Sequence, residues 1–240
     1  TGVVHPATGK LVKKSGVSLI TFRLDGGYFT SPRWSKTLRR GEMKGRMVKE
    51  YSPEELKSMT ADEVYLAIKN DLYVNAYEEQ GKNPIEYTGD KLAENLETAL
   101  YLCPKCNRIE TLKSEGDRLL CDCGLDLKYD SYGYLSSNNN ETSPFKTVLE
   151  WCRFQDTRLK EDIERIKNLT PDVLIYSDED QTLWEANRGE NRLLGTGSLL
   201  FYNNRIVFEC ADNHKYTYRF DDMSDLGIIG QMDIAFATND

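Results

Sequence analysis

The sequence predicts an α+β chain assembled from several small units: an α/β segment, a cysteine-clamped hairpin, a connecting helix and a small antiparallel β domain. Three observations predict it. Two capping boxes, Ser52-Pro53-Glu54-Glu55 and Thr60-Ala61-Asp62-Glu63, precede apolar residues at helical spacing. Two close cysteine pairs flank a segment with hairpin-turn chemistry between residues 103 and 123. After Pro171 the texture changes to short β-type runs separated by turns. The 240 residues divide on this pattern at 1–88, 89–136, 137–169 and 170–240.

The elements follow in order. Residues 15–24 are β-rich after Gly16 and read as a strand partly buried on both faces, ended by Asp25-Gly26-Gly27. Residues 28–41 read as a basic, aromatic loop and 43–51 as a second strand. Val64, Ile68, Leu72 and Tyr73 recur at helical spacing, which predicts a helix from Ala61 to Tyr77. Gly81–Gly89 is a linker, and Asp90 caps a short helix through Leu92, Leu96 and Leu100. Ser136-Ser137-Asn138-Asn139-Asn140 marks a boundary. A charged helix over 144–167 takes its apolar positions from Val148, Trp151, Cys152, Leu159, Ile163 and Ile166. Six β-type runs close the chain: Val173–Tyr176, Thr182–Ala186, Leu193–Phe201, Arg205–Glu209, Lys215–Phe220 and Asp233–Ala237. No internal repeat is evident.

Composition excludes several classes. Mean hydropathy is −0.59, and no run of 18 apolar residues is present to span a membrane. The first residues lack the basic and apolar regions of a signal peptide. The chain opens on Thr1 and stops at Asn239-Asp240 just after a strand, so it reads as a segment of a longer protein. Charge is uneven. Residues 1–49 carry eleven Lys and Arg against two acids, a net +9, and the remainder carries −17. A basic end on an acidic protein points to an anionic partner; a solvated face is the alternative.

Cys103-Pro104-Lys105-Cys106 is followed after 14 residues by Cys121-Asp122-Cys123-Gly124. Ile109–Leu112 and Arg118–Leu120 flank a Ser114-Glu115-Gly116-Asp117 turn, so a hairpin carries the second pair back beside the first. Four sulfurs then converge as in a zinc ribbon, with Cys103, Cys106, Cys121 and Cys123 as ligands of a structural zinc. Redox-sensitive or merely buried cysteines are the alternative. The second pair is one residue shorter than the usual spacing, which strains one knuckle. Cys152 and Cys210 stand alone.

Catalytic patterns are scarce. Neither His5 nor His214 begins a His-x-x-x-x-Asp motif, since Lys10 and Arg219 occupy the last position. Gly9-Lys10 lacks the remainder of a P-loop. Glu54-Glu55 and Asp221-Asp222 sit in caps or turns.

Gly16-Val17-Ser18-Leu19-Ile20-Thr21-Phe22-Arg23-Leu24-Asp25-Gly26 resembles the last conserved block of the lysophosphatidic acid (1-acyl-sn-glycerol-3-phosphate) acyltransferases, with Ser18 and Thr21 where that family has prolines. Gly27–Trp34 and Arg39-Arg40-Gly41 are similar to a bacterial, Firmicute-type branch, in which a Cys-Pro-x-Cys ribbon follows the acyltransferase domain. The resemblance implies that residues 1–88 end an α/β acyltransferase domain, with Thr1-Gly2 just after its Glu-Gly-x-Arg phosphate block. The family's catalytic His-x-x-x-x-Asp has no counterpart here, so no catalytic residue carries over. Implied substrates are an anionic lysophospholipid and an acyl donor on coenzyme A or acyl carrier protein. Arg33, Arg39, Arg40 and Lys44 are then placed to attract the headgroup phosphate, with Tyr28, Phe29 and Trp34 at the interface; packing of Phe29 and Trp34 beneath the sheet is the alternative. The implied location is cytoplasmic, peripheral at the inner face of the cell membrane.

Gly195–Glu209, with its Asn203-Asn204 turn, resembles a PH-like module of GRAM type. Its bases, Arg192, Arg205, Lys215 and Arg219, are scattered, which favours a protein partner over lipid. A non-enzymatic adaptor built from the ribbon and this module is the competing reading. Overall acidity disfavours nucleic acid.

Overall fold

The computed structural model describes residues 4–139, 142–186, 190–229 and 233–238. Expectations attached to Thr1-Gly2, Asn140 and Asn239-Asp240 lie outside them. The fold is mixed α+β with several small antiparallel sheets. The chain divides into two units, Thr1–Gln155 and Asp156–Asp240. No helix among the described residues is long and apolar enough to cross a membrane.

The first unit opens with α1 (Ala7–Ser15), β1 (Leu19–Asp25), the short α2 (Gly27–Thr30) and β2 (Lys44–Tyr51). Strands β1 and β2 pair antiparallel from Leu19↔Tyr51 to Asp25↔Lys44. Helices α3 (Pro53–Ser58), α4 (Ala61–Leu72) and α5 (Ala76–Lys82) follow. Helices α3 and α4 start where expected. Thr60 and Glu63 form a full capping box, with Glu63 N donating to Thr60 Oγ1 and Thr60 N to Glu63 Oε2. Ser52 caps α3 by accepting from Glu55 N alone, the Glu55 side chain turning to Lys49. The expected helix over 61–77 is two helices. Asn75 Oδ1 accepts from Tyr77 N and starts a new one. Helix α1 crosses α4 at Gly9, where a Cβ would sit 2.1 Å from Ala61 O, so only glycine fits.

Strand β1 is buried on one face only. Thr21 faces inward, and both Thr21 Oγ1 and Tyr51 Oη donate to Asp71 Oδ2 on α4 at 2.8 Å. Ile20, Phe22 and Leu24 face outward at 55–61% exposure. The expected burial of both faces is therefore corrected: the two-stranded sheet has a helix on one side and nothing among the described residues covers the other.

The expected helix over 90–100 is a single 3₁₀ turn, Leu96–Thr98. Lys91 and Asn95 take positive φ and interrupt any longer helix. Leu92, Leu96 and Leu100 are nevertheless buried, because tight turns bring them to one side. Next comes a four-stranded antiparallel sheet in order β3 (Leu112–Glu115), β4 (Arg118–Cys121), β5 (Asp126–Tyr129) and β6 (Leu135–Ser137). The charged helix α6 (Val148–Lys167) is capped by Thr147 and Glu150, and its first turns belong to this unit.

The main core joins Leu96, Leu119, Leu127, Tyr129 and Trp151 to Trp34 from the basic loop. Trp34 thus ties the basic loop to the core of segment 89–136, while Tyr51, Leu56, Val64 and Ile68 form a second core within 1–88.

In the second unit, β7 (Leu174–Ala186) runs continuously where two runs are expected, with a register shift between Asp178 and Gln181 and a positive φ at Asp180. It pairs with β8 (Asn191–Tyr202), then β9 (Arg205–Cys210) and β10 (Lys215–Arg219), giving the order β10-β9-β8-β7. A separate hairpin joins β11 (Met223–Ile229), not expected from sequence, to β12 (Asp233–Thr238). Ile206, Val207, Phe208 and Cys210 make β9 the buried centre of this unit.

Candidate metal centre

Two turns and one hairpin build the cysteine site. In the first turn Asn107 N donates to Cys103 O at 2.8 Å and Cys103 N to Arg108 O at 3.0 Å. Asn107 adopts a left-handed φ of 55°, which asparagine tolerates. In the second, Gly124 N donates to Cys121 O and Cys121 N to Leu125 O, both at 2.9 Å. Gly124 has φ 87°, so a glycine after Cys123 lets the shorter cysteine pair close its turn. The β3–β4 hairpin places Leu112 opposite Cys121 and brings the turns together.

The four Sγ atoms lie within 4.8 Å of one another. Cys103 Sγ is 3.7 Å from Cys123 Sγ, and Cys106 Sγ is 3.8 Å from Cys121 Sγ. No disulfide links them. A tetrahedral ion with sulfur ligands at about 2.3 Å spaces those sulfurs about 3.8 Å apart. The residues therefore fit a metal ion such as zinc. Four thiolates fill a tetrahedral shell and leave no position for a substrate or an activated water.

The electrostatics are uneven around the ring. Burial pushes the Cys103 thiol up to about 12 and also raises Cys123. Arg108, hydrogen-bonded to Cys106, lowers that thiol to about 6. Thr111 Oγ1 lies 3.2 Å from Cys121 Sγ. Sequence reasoning missed Arg108 and Thr111 as neighbours of the sulfurs; the position of Arg108 two residues after Cys106 was the available signal. An entering cation must displace the proton that burial holds on Cys103.

The candidate headgroup residues differ in exposure. Arg33 and Arg40 are exposed. Lys44 is exposed and pairs with Glu42 at 2.9 Å. Arg39 is a correction: at 4% exposure it is inside the protein, with Nη2 donating to Leu92 O at 2.6 Å and Nη1 to Tyr129 Oη at 3.3 Å. No face of it is left for a headgroup. Phe29 and Trp34 are buried too, at 2% and 5%, so of the loop aromatics only Tyr28 reaches the surface, at 38%.

The histidines form no catalytic pair at the family spacing. His5 Nδ1 accepts from Ala7 N, and His214 Nδ1 lies 3.1 Å from Asp212 in an exposed turn. No family model, curated protein or solved structure matches the chain.

Proposed function

We propose that this chain is part of a membrane-associated lysophosphatidic acid acyltransferase, to which it contributes a structural zinc ribbon and an anion-attracting surface but no catalytic residue. The observation that carries the proposal is the outward apolar row Ile20, Phe22 and Leu24 on β1. That strand contains the family-like block Gly16–Gly26. An apolar row on a two-stranded sheet is what the rim of a larger sheet presents to the rest of its domain. Zinc in the four-sulfur site serves folding.

The second unit reads as a PH-like module that contacts protein. Its support is a four-stranded antiparallel meander followed by a further hairpin. A non-enzymatic adaptor is the second reading, favoured by the closed sulfur shell and by the absence of the His-x-x-x-x-Asp pattern.

Two experiments test these readings. Assayed with lysophosphatidic acid and acyl-coenzyme A or acyl-carrier donor, the chain alone should transfer no acyl group, because no histidine stands at the family spacing to deprotonate the glycerol hydroxyl. Turnover above background would overturn the assignment. In co-sedimentation, vesicles rich in anionic lipid should bind the chain weakly and release it in physiological salt, while neutral vesicles should bind far less. Each base near an anionic surface contributes about 1 kcal/mol, and screening erodes it. Replacing Arg33, Arg40 and Lys44 by Ala should remove most binding. If Arg205→Ala with Lys215→Ala removes it instead, the lipid contact belongs to the second unit.

A further inference from the structure

Arg39 brings a cation into the core without a carboxylate hydrogen-bonded to it. Among the described residues its side-chain acceptors are a backbone carbonyl, Leu92 O, and a phenol, Tyr129 Oη. The guanidinium also lies 4.7 Å from the Trp34 ring centroid and 5.1 Å from that of Tyr129. Burying a charge is costly unless hydrogen bonds satisfy it, and Arg39 Nε has no such partner among the described residues. Whatever holds Leu92 O and Tyr129 Oη in place therefore decides whether Arg39 stays inside.

Both partners are fixed by one turn. Asp117 Oδ1 accepts from Leu92 N at 2.6 Å, Asp117 O accepts from Tyr129 N at 2.8 Å, and Gly116 O accepts from Ala93 N at 3.0 Å. This turn closes one end of the β3–β4 hairpin. The other end is the Leu112↔Cys121 pair, at a metal ligand. The hairpin thus has the sulfur site at one end and the grip on Leu92 and Tyr129 at the other. The loop's other hydrogen bonds are internal, such as Ser35 N to Pro32 O and Arg39 N to Thr30 O, or run to Thr88, with which Arg40 N and O pair at 2.8 Å.

We infer that Arg39 is a positioning residue that couples the metal centre to the basic loop. Metal on the four cysteines holds the β3–β4 hairpin in register. The hairpin turn holds Leu92 and Tyr129, and these hold Ser31–Gly41 through Arg39 and Trp34. Metal occupancy thereby fixes where Arg33 and Arg40 present their charge. Coupling of this kind is reciprocal: if metal steadies the loop, the loop retains the metal by the same factor.

The inference rests on the zinc reading alone and needs no lipid. The test is hydrogen exchange across the full chain, zinc-loaded and chelator-stripped, together with the affinity for zinc measured by competition with a chromogenic chelator. Zinc content is measured first. A wild-type protein that binds no zinc overturns both readings. A zinc-loaded protein whose residues 31–41 exchange equally after stripping overturns this one alone. The expected result is faster exchange in 31–41 on stripping. Arg39→Met with zinc bound should speed the same amides and weaken zinc binding about 5-fold or more, the lower end of ordinary coupling. Arg39→Lys should recover part of the loss, because an ammonium reaches Leu92 O but cannot bridge to Tyr129 as well. Arg40→Met should bind zinc like wild type. Wild-type zinc affinity in Arg39→Met overturns the coupling, and if that variant does not fold, the wild-type exchange comparison decides.

Discussion

Purified without chelator, the protein should carry one zinc per chain, and Cys103→Ser should lose it along with the β3–β6 sheet. The four sulfurs already stand at tetrahedral spacing, with 3.7 and 3.8 Å between the members of two pairs. Structural zinc contributes on the order of 10–16 kcal/mol of apparent binding free energy at neutral pH. A whole domain is stable by only about 5–15 kcal/mol. Losing the ion therefore removes a term as large as the net stability, and the ribbon cannot hold without it. Cys103 is fully buried beside Leu96 and Leu119 in the main core, so its serine variant also places an unmatched hydroxyl there. Acid should act in the same direction, because thiolates must take up protons as metal leaves, so zinc content falls as pH falls. Elemental analysis checks the metal, and amide dispersion of residues 101–137 checks the fold. A metal-free protein with a well-dispersed ribbon would falsify the assignment.

The four-cysteine site was legible because its information is local. Each cysteine pair lies within one turn, and the hairpin joining the pairs has its own turn residues in Ser114–Asp117. The starts of α3 and α4 were legible for the same reason, since an N-cap and its bonded partner span four residues, whereas α1, α2 and the separate α5 were not expected. What the sequence did not disclose depends on contacts far along the chain. Arg39 stands in a basic stretch and reads as surface, yet its partners Leu92 and Tyr129 are 53 and 90 residues away. Leu92, Leu96 and Leu100 have helical spacing, and burial follows that spacing, but positive φ at Lys91 and Asn95 makes the segment a series of turns. Periodicity reports which residues are buried, not which backbone buries them. β1 failed in the opposite sense. Its apolar residues read as partly buried on both faces, and the structure leaves Ile20, Phe22 and Leu24 outside.

Trp151→Ala should be the most damaging substitution outside the cysteines. Trp151 is fully buried on the first turn of α6 and packs against Phe145, with ring centroids 5.9 Å apart. Its Nε1 donates to Leu102 O at 2.9 Å. One turn later Gln155, 3% exposed, accepts from Leu102 N at 3.1 Å and donates to Ala99 O at 3.1 Å. Helix α6 thus clamps the chain just before Cys103. Emptying the site costs about 3–5 kcal/mol in lost packing. Leu102 O then loses its indole donor, which adds about 1–3 kcal/mol if water does not replace it. In urea, at a slope of about 2 kcal/mol per molar, the midpoint of the first unit should fall by about 2 M. Zinc should be kept in excess so that metal loss does not set the midpoint. Trp184→Ala is the control, since Trp184 is 54% exposed in the second unit and should change stability by less than about 0.5 kcal/mol. Circular dichroism is the readout for both, because each variant removes a fluorophore. Equal shifts for the two variants would mean that α6 is not the clamp described.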